Sequence, residues 1–428
     1  MKRLFLLLML VAVFGITGVV FPQSAAQIAS SGSFTGGVGM AVIDDQTYFT
    51  INLHPDVAIG KLGIGLNINL LYNSETGELR PEDWNESYDY ARLIRYIRWG
   101  HKRDPFYTRV GILDAARLGH GFIMNYYTNE ASYDARKIGL ELDMDFGSWG
   151  VETVTSNMGR LEIIGGRAYV RPLRQVLTIP MIKNIAFGGT YVTDIDPDGN
   201  RSTSDGMYEI GFDVEMPLLT LPMFNSFIYY DWAKIDTLGH GQAVGAEANL
   251  TLIAGIAAMT ARLERRWLGE QFLPSYFGAF YEIERYKIDQ GTVFRKDQYV
   301  ATIDSTTRGI FGELVGDILN TFRIVGNFQR LDGVQKSGIL HMAAEVPDAI
   351  PKIAAYAYYD RIGIETGSDL FKLDDNSVAR IGLGYKIKPY LLLNMDYIYT
   401  FVFDEKADTW KAQERFEPRV SFVWRFGE

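Results

Sequence analysis

Three arginine-rich stretches carry the residues best able to act on a solute. "RLIRYIRWGHKR" holds Arg92, Arg95, Arg98 and Arg103, "GGRAYVRPLR" puts Arg167 and Arg171 on one face, and "TARLERRW" puts Arg262 and Arg266 on one face with Glu264. Carboxylates recur at even spacing, as Glu141, Asp143 and Asp145 and again as Glu209, Asp213 and Glu215. Fixed cations facing fixed anions across a narrow water-filled space create a transverse field that sorts polar solutes by charge and dipole. Taken singly, each is an ordinary charge that pairs with a cross-strand neighbour. As a set, Arg92, Arg98, Arg167, Arg171, Arg262 and Arg266 with the six carboxylates are the candidate lining of a pore.

Covalent and metal chemistry has less to stand on. The histidines His54, His101, His120, His240 and His341 lack the spacing of a metal site or a protease helix. The chain contains no cysteine, which removes thiol catalysis, disulfides and cysteine metal sites together. His341 near Ser337 is the one local pair a hydrolase would need, and no nucleophile elbow accompanies it. The expectation is a protein that is not an enzyme, with no catalytic residue, no metal and no cofactor.

The elements that must hold the charged sets are strands. "KIGLELDMDF" opposes Ile138, Leu140, Leu142, Met144 and Phe146 to Lys137, Gly139, Glu141, Asp143 and Asp145, and "YEIGFDVEM" opposes Tyr208, Ile210, Phe212, Val214 and Met216 to Glu209, Gly211, Asp213 and Glu215. "LGIGLNINLLY" and "LLLNMDYIYTFVF" alternate in the same way near the two ends of the chain. Such period-2 segments of about ten residues are the strand signal, and helical periodicity is nearly absent. Long polar connections ("YNSETGELRPEDWNES", "DIDPDGNRSTSDG", "ETGSDLFKLDDNS") roughly alternate with short ones ("GSWG", "KPY"). Pro180, Pro222 and Pro351 each precede a strand, and are read as tight turns at one end. Template matching gives about 22 strands, with "DQGTVFRKDQYVATIDSTTRG" ambiguous, so an even number between about 18 and 22 is expected.

Charge and composition set the compartment. Apolar residues are 47% and charged residues 22% of 428, with a mean hydropathy of −0.03. Residues 1–26 pair Lys2 and Arg3 with an apolar run from Leu4 to Phe21, a break at Pro22 and a small-residue end at Ala26, the form of a cleaved signal peptide. Removing those two basic residues and no acidic ones moves the formal charge from −10 to −12, which argues against nucleic acid as a partner. Beyond residue 26 no apolar stretch reaches the roughly 18–20 residues of a spanning helix, so a membrane could be crossed only by strands. Tyr72, Trp99, Trp149, Tyr191, Trp267, Tyr390 and Trp424 gather near strand ends, where an interfacial girdle would lie.

"LGHG" occurs at Leu118–Gly121 and again at Leu238–Gly241. The first copy sits in "DAARLGHGFIMNYYTNEAS", which lacks alternation and is too apolar for an ordinary surface loop. Two readings stand: a loop folded into the lumen, with Leu118, His120, Phe122, Ile123 and Met124 at a constriction, or a bulged extension of the flanking strands.

The last strand, "VSFVWRF", resembles the C-terminal strand of bacterial outer-membrane β-barrels at Val420, Phe422, Trp424 and Phe426, and departs from it in the Gly427 and Glu428 that follow. The resemblance implies an all-β, transmembrane, antiparallel up-and-down barrel formed by residues 27–428 as one domain. It also implies an outer-membrane location and recognition by the barrel-assembly machinery. Residues 27–428 are then expected to form a porin-like channel for small polar or charged solutes, with lipid around it and homo-oligomers compatible with it. The alternatives are a structural or adhesive barrel with an occluded lumen, or a transporter of hydrophobic compounds gated at Phe122, Ile123 and Met124.

Overall fold

The computed structural model describes residues 31–426 other than 44–45, 82–83, 85–89, 91–92, 103, 114, 130–136, 253–256, 280, 290–291, 319–321, 351, 375, 389–390 and 405–408. The expected signal peptide, Arg92, Arg103, Pro351 and Tyr390 therefore lie outside the described residues.

The strands run β1 (Ser31–Ile43), β2 (Gln46–Ile59), β3 (Leu62–Leu66), β4 (Ile68–Asn73), β5 (Ile94–Trp99), β6 (Phe106–Gly111), β7 (Gly139–Asp145), β8 (Trp149–Thr155), β9 (Ile163–Val170), β10 (Ala186–Asp194), β11 (Met207–Leu221) and β12 (Phe224–Ile235). They continue as β13 (His240–Leu252), β14 (Ala257–Leu268), β15 (Tyr286–Asp289), β16 (Thr292–Arg295), β17 (Thr307–Ile318), β18 (Phe322–Leu331), β19 (Gly338–Ile350), β20 (Ile353–Ile364), β21 (Ser377–Lys388), β22 (Leu391–Asp404) and β23 (Thr409–Phe426).

Pairing is antiparallel between successive strands, and β23 pairs back onto β1 from Gly32↔Phe426 to Val38↔Val420. That last ladder closes the ring. β3 and β4 both pair with β2 and are two halves of one stave broken at Asn67. The 21-stranded sheet thus makes a barrel of twenty staves, within the expected range. The ambiguous stretch forms no stave. β15 and β16 make a separate two-stranded hairpin, followed by a short helix at Lys296–Val300.

Burial settles which face meets which solvent. On β14, Leu263 is 63% exposed, whereas Arg262 and Glu264 beside it are 3% and 1% exposed. On β11, Tyr208, Ile210 and Phe212 are exposed, whereas Glu209 and Asp213 are buried. The apolar face is therefore the outer face, and the polar face looks inward, as hydrocarbon around the barrel requires. Trp99 and Trp149 are exposed on the outside towards one end, and Tyr191 stacks on Tyr208 at 5.8 Å towards the other. Phe422 stacks on Phe34 at 5.4 Å, across the closing seam. Trp424 and Phe426 lie on the β23 backbone, and their side chains fall outside the described residues.

The two ends differ. Connections such as 60–61, 146–148 and 222–223 are short, while those at the opposite end include 112–138, 195–206, 269–306 and 365–376. Pro222 occupies a two-residue turn at the short end, as expected. Pro180 does not: it opens the helix α1 (Pro180–Lys183) within the longer 171–185 connection. Its fixed φ and missing N–H suit the first position of a helix as well as a turn.

Candidate functional site

Between β6 and β7 the chain leaves the wall and turns into the lumen. Within residues 112–129, Ala116 and Tyr127 exchange both backbone hydrogen bonds at 2.8 and 3.0 Å, making a small inner hairpin. Asn129, wholly buried, clamps its base. The Asn129 side-chain oxygen accepts from the Leu113 N–H, and Nδ2 donates to the carbonyls of Gly111, Lys137 and Ser156. Gly119 (φ +54°) and Gly121 (φ +87°) supply the left-handed backbone that turns the hairpin tip at His120.

A second segment, 269–285, meets the first inside the barrel. Phe277 N–H donates to Ile123 C=O, Asn125 N–H to Phe277 C=O, and Ser275 Oγ to Gly121 C=O. Leu113, Leu118, Phe122, Ile123, Met124 and Tyr127 of the first segment pack with Phe272, Tyr276, Phe277 and Tyr281 of the second in one buried cluster. The wall makes room with glycine. A Cβ on Gly211 would come within 2.6 Å of Ile123, one on Gly165 within 2.9 Å of Leu118, and one on Gly241 would collide with Phe272.

Charges hold this insert against β7–β17. Arg167 grips Asp213 through two parallel bonds of 2.8 and 2.7 Å and Glu152 at 2.7 Å, and Glu152 accepts the Gly119 N–H at 2.7 Å. Arg262 donates to the His120 carbonyl and pairs with Glu313 at 3.1 Å, while Arg117 of the insert reaches the same carboxylate at 2.9 Å. Glu264 binds Arg266 at 2.6 Å and accepts from the Tyr229 hydroxyl at 2.7 Å. His120 lies flat on Tyr229, ring centroids 3.9 Å apart, with Nδ1 3.0 Å from Asp231 and Nε2 3.3 Å from Glu215. Burial alone would lower the His120 pKa, but the Asp231 charge and the hydrogen bonds to Asp231 and Glu215 raise it to about 10, so the ring is a cation.

Towards the long-loop end, Arg285 of the second segment pairs with Glu162, Asp194 and Glu282 at 3.1, 2.9 and 3.3 Å. Lys137 joins Glu162 and Glu282, and Tyr127 donates to Glu282, so three connections and the end of β10 share one buried ionic knot.

Loop-filled on one side, the barrel is asymmetric. Lumen-facing side chains beyond the insert keep contact with solvent: the paired His341 and Asp360 are 34% and 39% exposed, and Arg323, paired with Asp317 at 2.9 Å, is 38% exposed. Between these exposed groups, on the same face of β18 and β19, Val325, Ala343 and Glu345 are buried, so solvent meets this wall in two patches.

The residues picked out in sequence fall into distinct surroundings. Arg167, Arg262, Arg266, Asp213 and Glu215 converge beneath the first insert. Arg171 pairs with Asp145 at 3.0 Å near the short turns, and Lys102 bridges Glu141 and Asp143 at 3.2 and 2.9 Å. Arg98 faces inward against Gly63 and donates to the Gly100 carbonyl at 2.6 Å. Glu209 is fully buried, in the wall next to the packed cluster, and neither of its oxygens has a hydrogen-bond partner. Ser337 turns its hydroxyl to the Leu331 backbone, and His341 pairs with Asp360 instead. Arg117, Glu313, Asp231, Arg285 and the whole second segment were not picked out. The signal available for that segment is "QFLPSYFGAFYEIERY", as apolar and as free of alternation as the first.

No family model and no curated protein matches the chain. Among solved structures, Pseudomonas aeruginosa OccK2 (OpdF) in complex with glucuronate aligns over 93% of this chain and 97% of that one, at 8% identity and a TM-score of 0.34. The siderophore receptor PirA from Acinetobacter baumannii aligns over 94% and 81%, at 9% identity and 0.38. CdiB from Acinetobacter baumannii aligns over 92% and 60%, at 7% identity and 0.30, so the chain spans 60% of the length of that protein. At these values the alignments bear on neither substrate nor mechanism. The barrel stands on its own strand pairing.

Proposed function

We propose that this chain is an outer-membrane channel for passive diffusion of small polar or charged solutes, and that the insert narrows its lumen to one lane. The observation that carries this reading is the contrast inside the ring: Arg262, Glu264 and Arg266 under the insert are 1–3% exposed, while His341, Asp360 and Arg323 farther along the sheet remain a third or more exposed. In this reading water reaches Arg323 from one end and His341 and Asp360 from the other, the path between them runs past Val325, Ala343 and Glu345, and the exposed charges set its selectivity. Residues 1–26 act as the export signal in this reading. The apolar belt meets lipid, and the assembly machinery reads Val420, Phe422, Trp424 and Phe426. Flux needs no catalysis and no cofactor.

The second reading is an occluded barrel with a structural or adhesive role, and the fixing of the insert by Arg117, Arg262 and Glu313 favours it. Gating of hydrophobic solutes by Phe122, Ile123 and Met124 is less favoured, because these side chains are spent on packing the insert.

Planar-bilayer recording on the refolded chain, residues 27–428, separates the readings. The channel predicts small discrete steps, with conductance rising severalfold when residues 116–126 are replaced by a short glycine-serine linker. Arg171→Gln should shift the reversal potential towards cation selectivity, since it leaves Asp145 unpaired in the lumen wall. Silence from both the wild type and the shortened variant, each folded by heat-modifiable mobility, would favour the occluded barrel.

A further inference from the structure

The long connection between β10 and β11 reads Asp194-Ile-Asp196-Pro-Asp198-Gly199-Asn200-Arg201-Ser202-Thr203-Ser204-Asp205. Acidic residues stand at positions one, three, five and twelve, with glycine at six. This is the spacing with which a twelve-residue loop wraps a calcium ion, the glycine making the sharp turn. Gly199 makes that turn at φ +72°. Oxygens of Asp196, Asp198 and Asp205 lie within 4.8 Å of one another.

Spacing and proximity alone would mark only an acidic turn. The interior of the cluster adds a separate observation. Asp196 is 7% exposed, and its Oδ1 is closed off from solvent and accepts no hydrogen bond. Asp205, with its side chain 9% exposed, is paired with Arg295 Nη1 at 3.2 Å through one oxygen. Arg201 stands off from Asp196 at 4.0 Å and is itself 59% exposed. A buried carboxylate oxygen without a hydrogen bond, turned towards two further carboxylates, is costly unless a cation satisfies it.

We infer that the 194–205 loop is a calcium site, with Asp196, Asp198 and Asp205 supplying carboxylate oxygens, Asp198 exchanging for the ion the hydrogen bonds it accepts from the Thr203 hydroxyl and the Asn200 N–H. Asp194, at position one, is already held by Arg285 and by the Tyr281 hydroxyl at 2.9 Å. The site therefore has one carboxylate fewer than a full loop, and its affinity falls in the weak range of extracellular modules, on the order of 0.1–1 mM. Calcium is favoured over magnesium because an irregular loop of this kind cannot impose a tight octahedron. Arg285 also donates to the Asp196 carbonyl, so a bound ion stiffens the loop where it meets the second insert.

This inference stands apart from conduction, and its test does not use it. Tyr286 lies against Gly199, a Cβ there coming within 3.2 Å of its ring, so a lanthanide in the loop would be sensitised by tyrosine excitation. The full refolded chain, stripped by chelator, should give saturable terbium luminescence that calcium displaces and magnesium displaces poorly. Asp198→Asn, at a partly exposed position, should weaken terbium binding by at least about tenfold. Asp332→Asn, in a different loop, should leave it unchanged. Absence of saturable luminescence from the wild type, or equal binding by Asp198→Asn, would overturn the site.

Discussion

His120 shows how much one side chain can depend on a structure that its neighbours in sequence do not announce. Detached from the wall, its imidazole would titrate near about 6.5. Seated between Asp231 and Glu215, it titrates at about 10. A group whose pKa is raised on docking stabilises the docked state fully below its free value and loses that contribution as pH climbs through the raised one. The insert should therefore loosen between about pH 6.5 and 10. Limited proteolysis within 112–129 is expected to accelerate across that window in the wild type and to lose this pH dependence in His120→Gln. A flat profile in the wild type would remove His120 as the anchor. Alternation was enough to place Arg262, Glu264 and Arg266 on one face. It could not show that Arg262 shares Glu313 with Arg117, whose position in the chain lies 196 residues away from that carboxylate.

The elements were the most legible level, because a closed barrel in hydrocarbon forces every stave into the same two-residue rhythm. What that rhythm could not report was the glycines. Gly211 reads in sequence as a small residue on the polar face of its strand, yet in the fold it is the seat for Ile123, as Gly165 is for Leu118 and Gly241 for Phe272. Gly211→Val should overpack the seat, costing about 1–3 kcal/mol and displacing the insert while the barrel still closes. Gly189→Val, one strand away with nothing within 4 Å, is the matched control. A lower Tm and larger conductance for Gly211→Val alone would support the seat, and equal behaviour of the two variants would refute it. The second inserted segment escaped notice for a related reason. Its aromatics pack against another loop, and a contact between two loops leaves no periodic trace in either.

For the molecule as a whole, the even strand number, the apolar exterior and the single continuous ring were readable before any coordinates. The filling of one side of the lumen was half readable, through the apolar stretch around "LGHG". The ring also has a seam, the ladder between β1 and β23, that joins residues nearly the whole chain apart. Bringing such distant segments together carries a loop-closure entropy of about 5 kcal/mol beyond that of a hairpin's first contact. Both inserts, by contrast, spring from the consecutive staves β6 to β17 and dock onto them. The filled half can therefore assemble as an open, curved sheet around its own plug, with nothing threaded through a finished ring. Pulsed hydrogen exchange during refolding should show amides of β7–β14 and of 112–129 protected together, ahead of those in β1 and β23. Simultaneous protection throughout would mean that closure organises the plug. In the order expected here, the plug is the mould, and the barrel is cast around it.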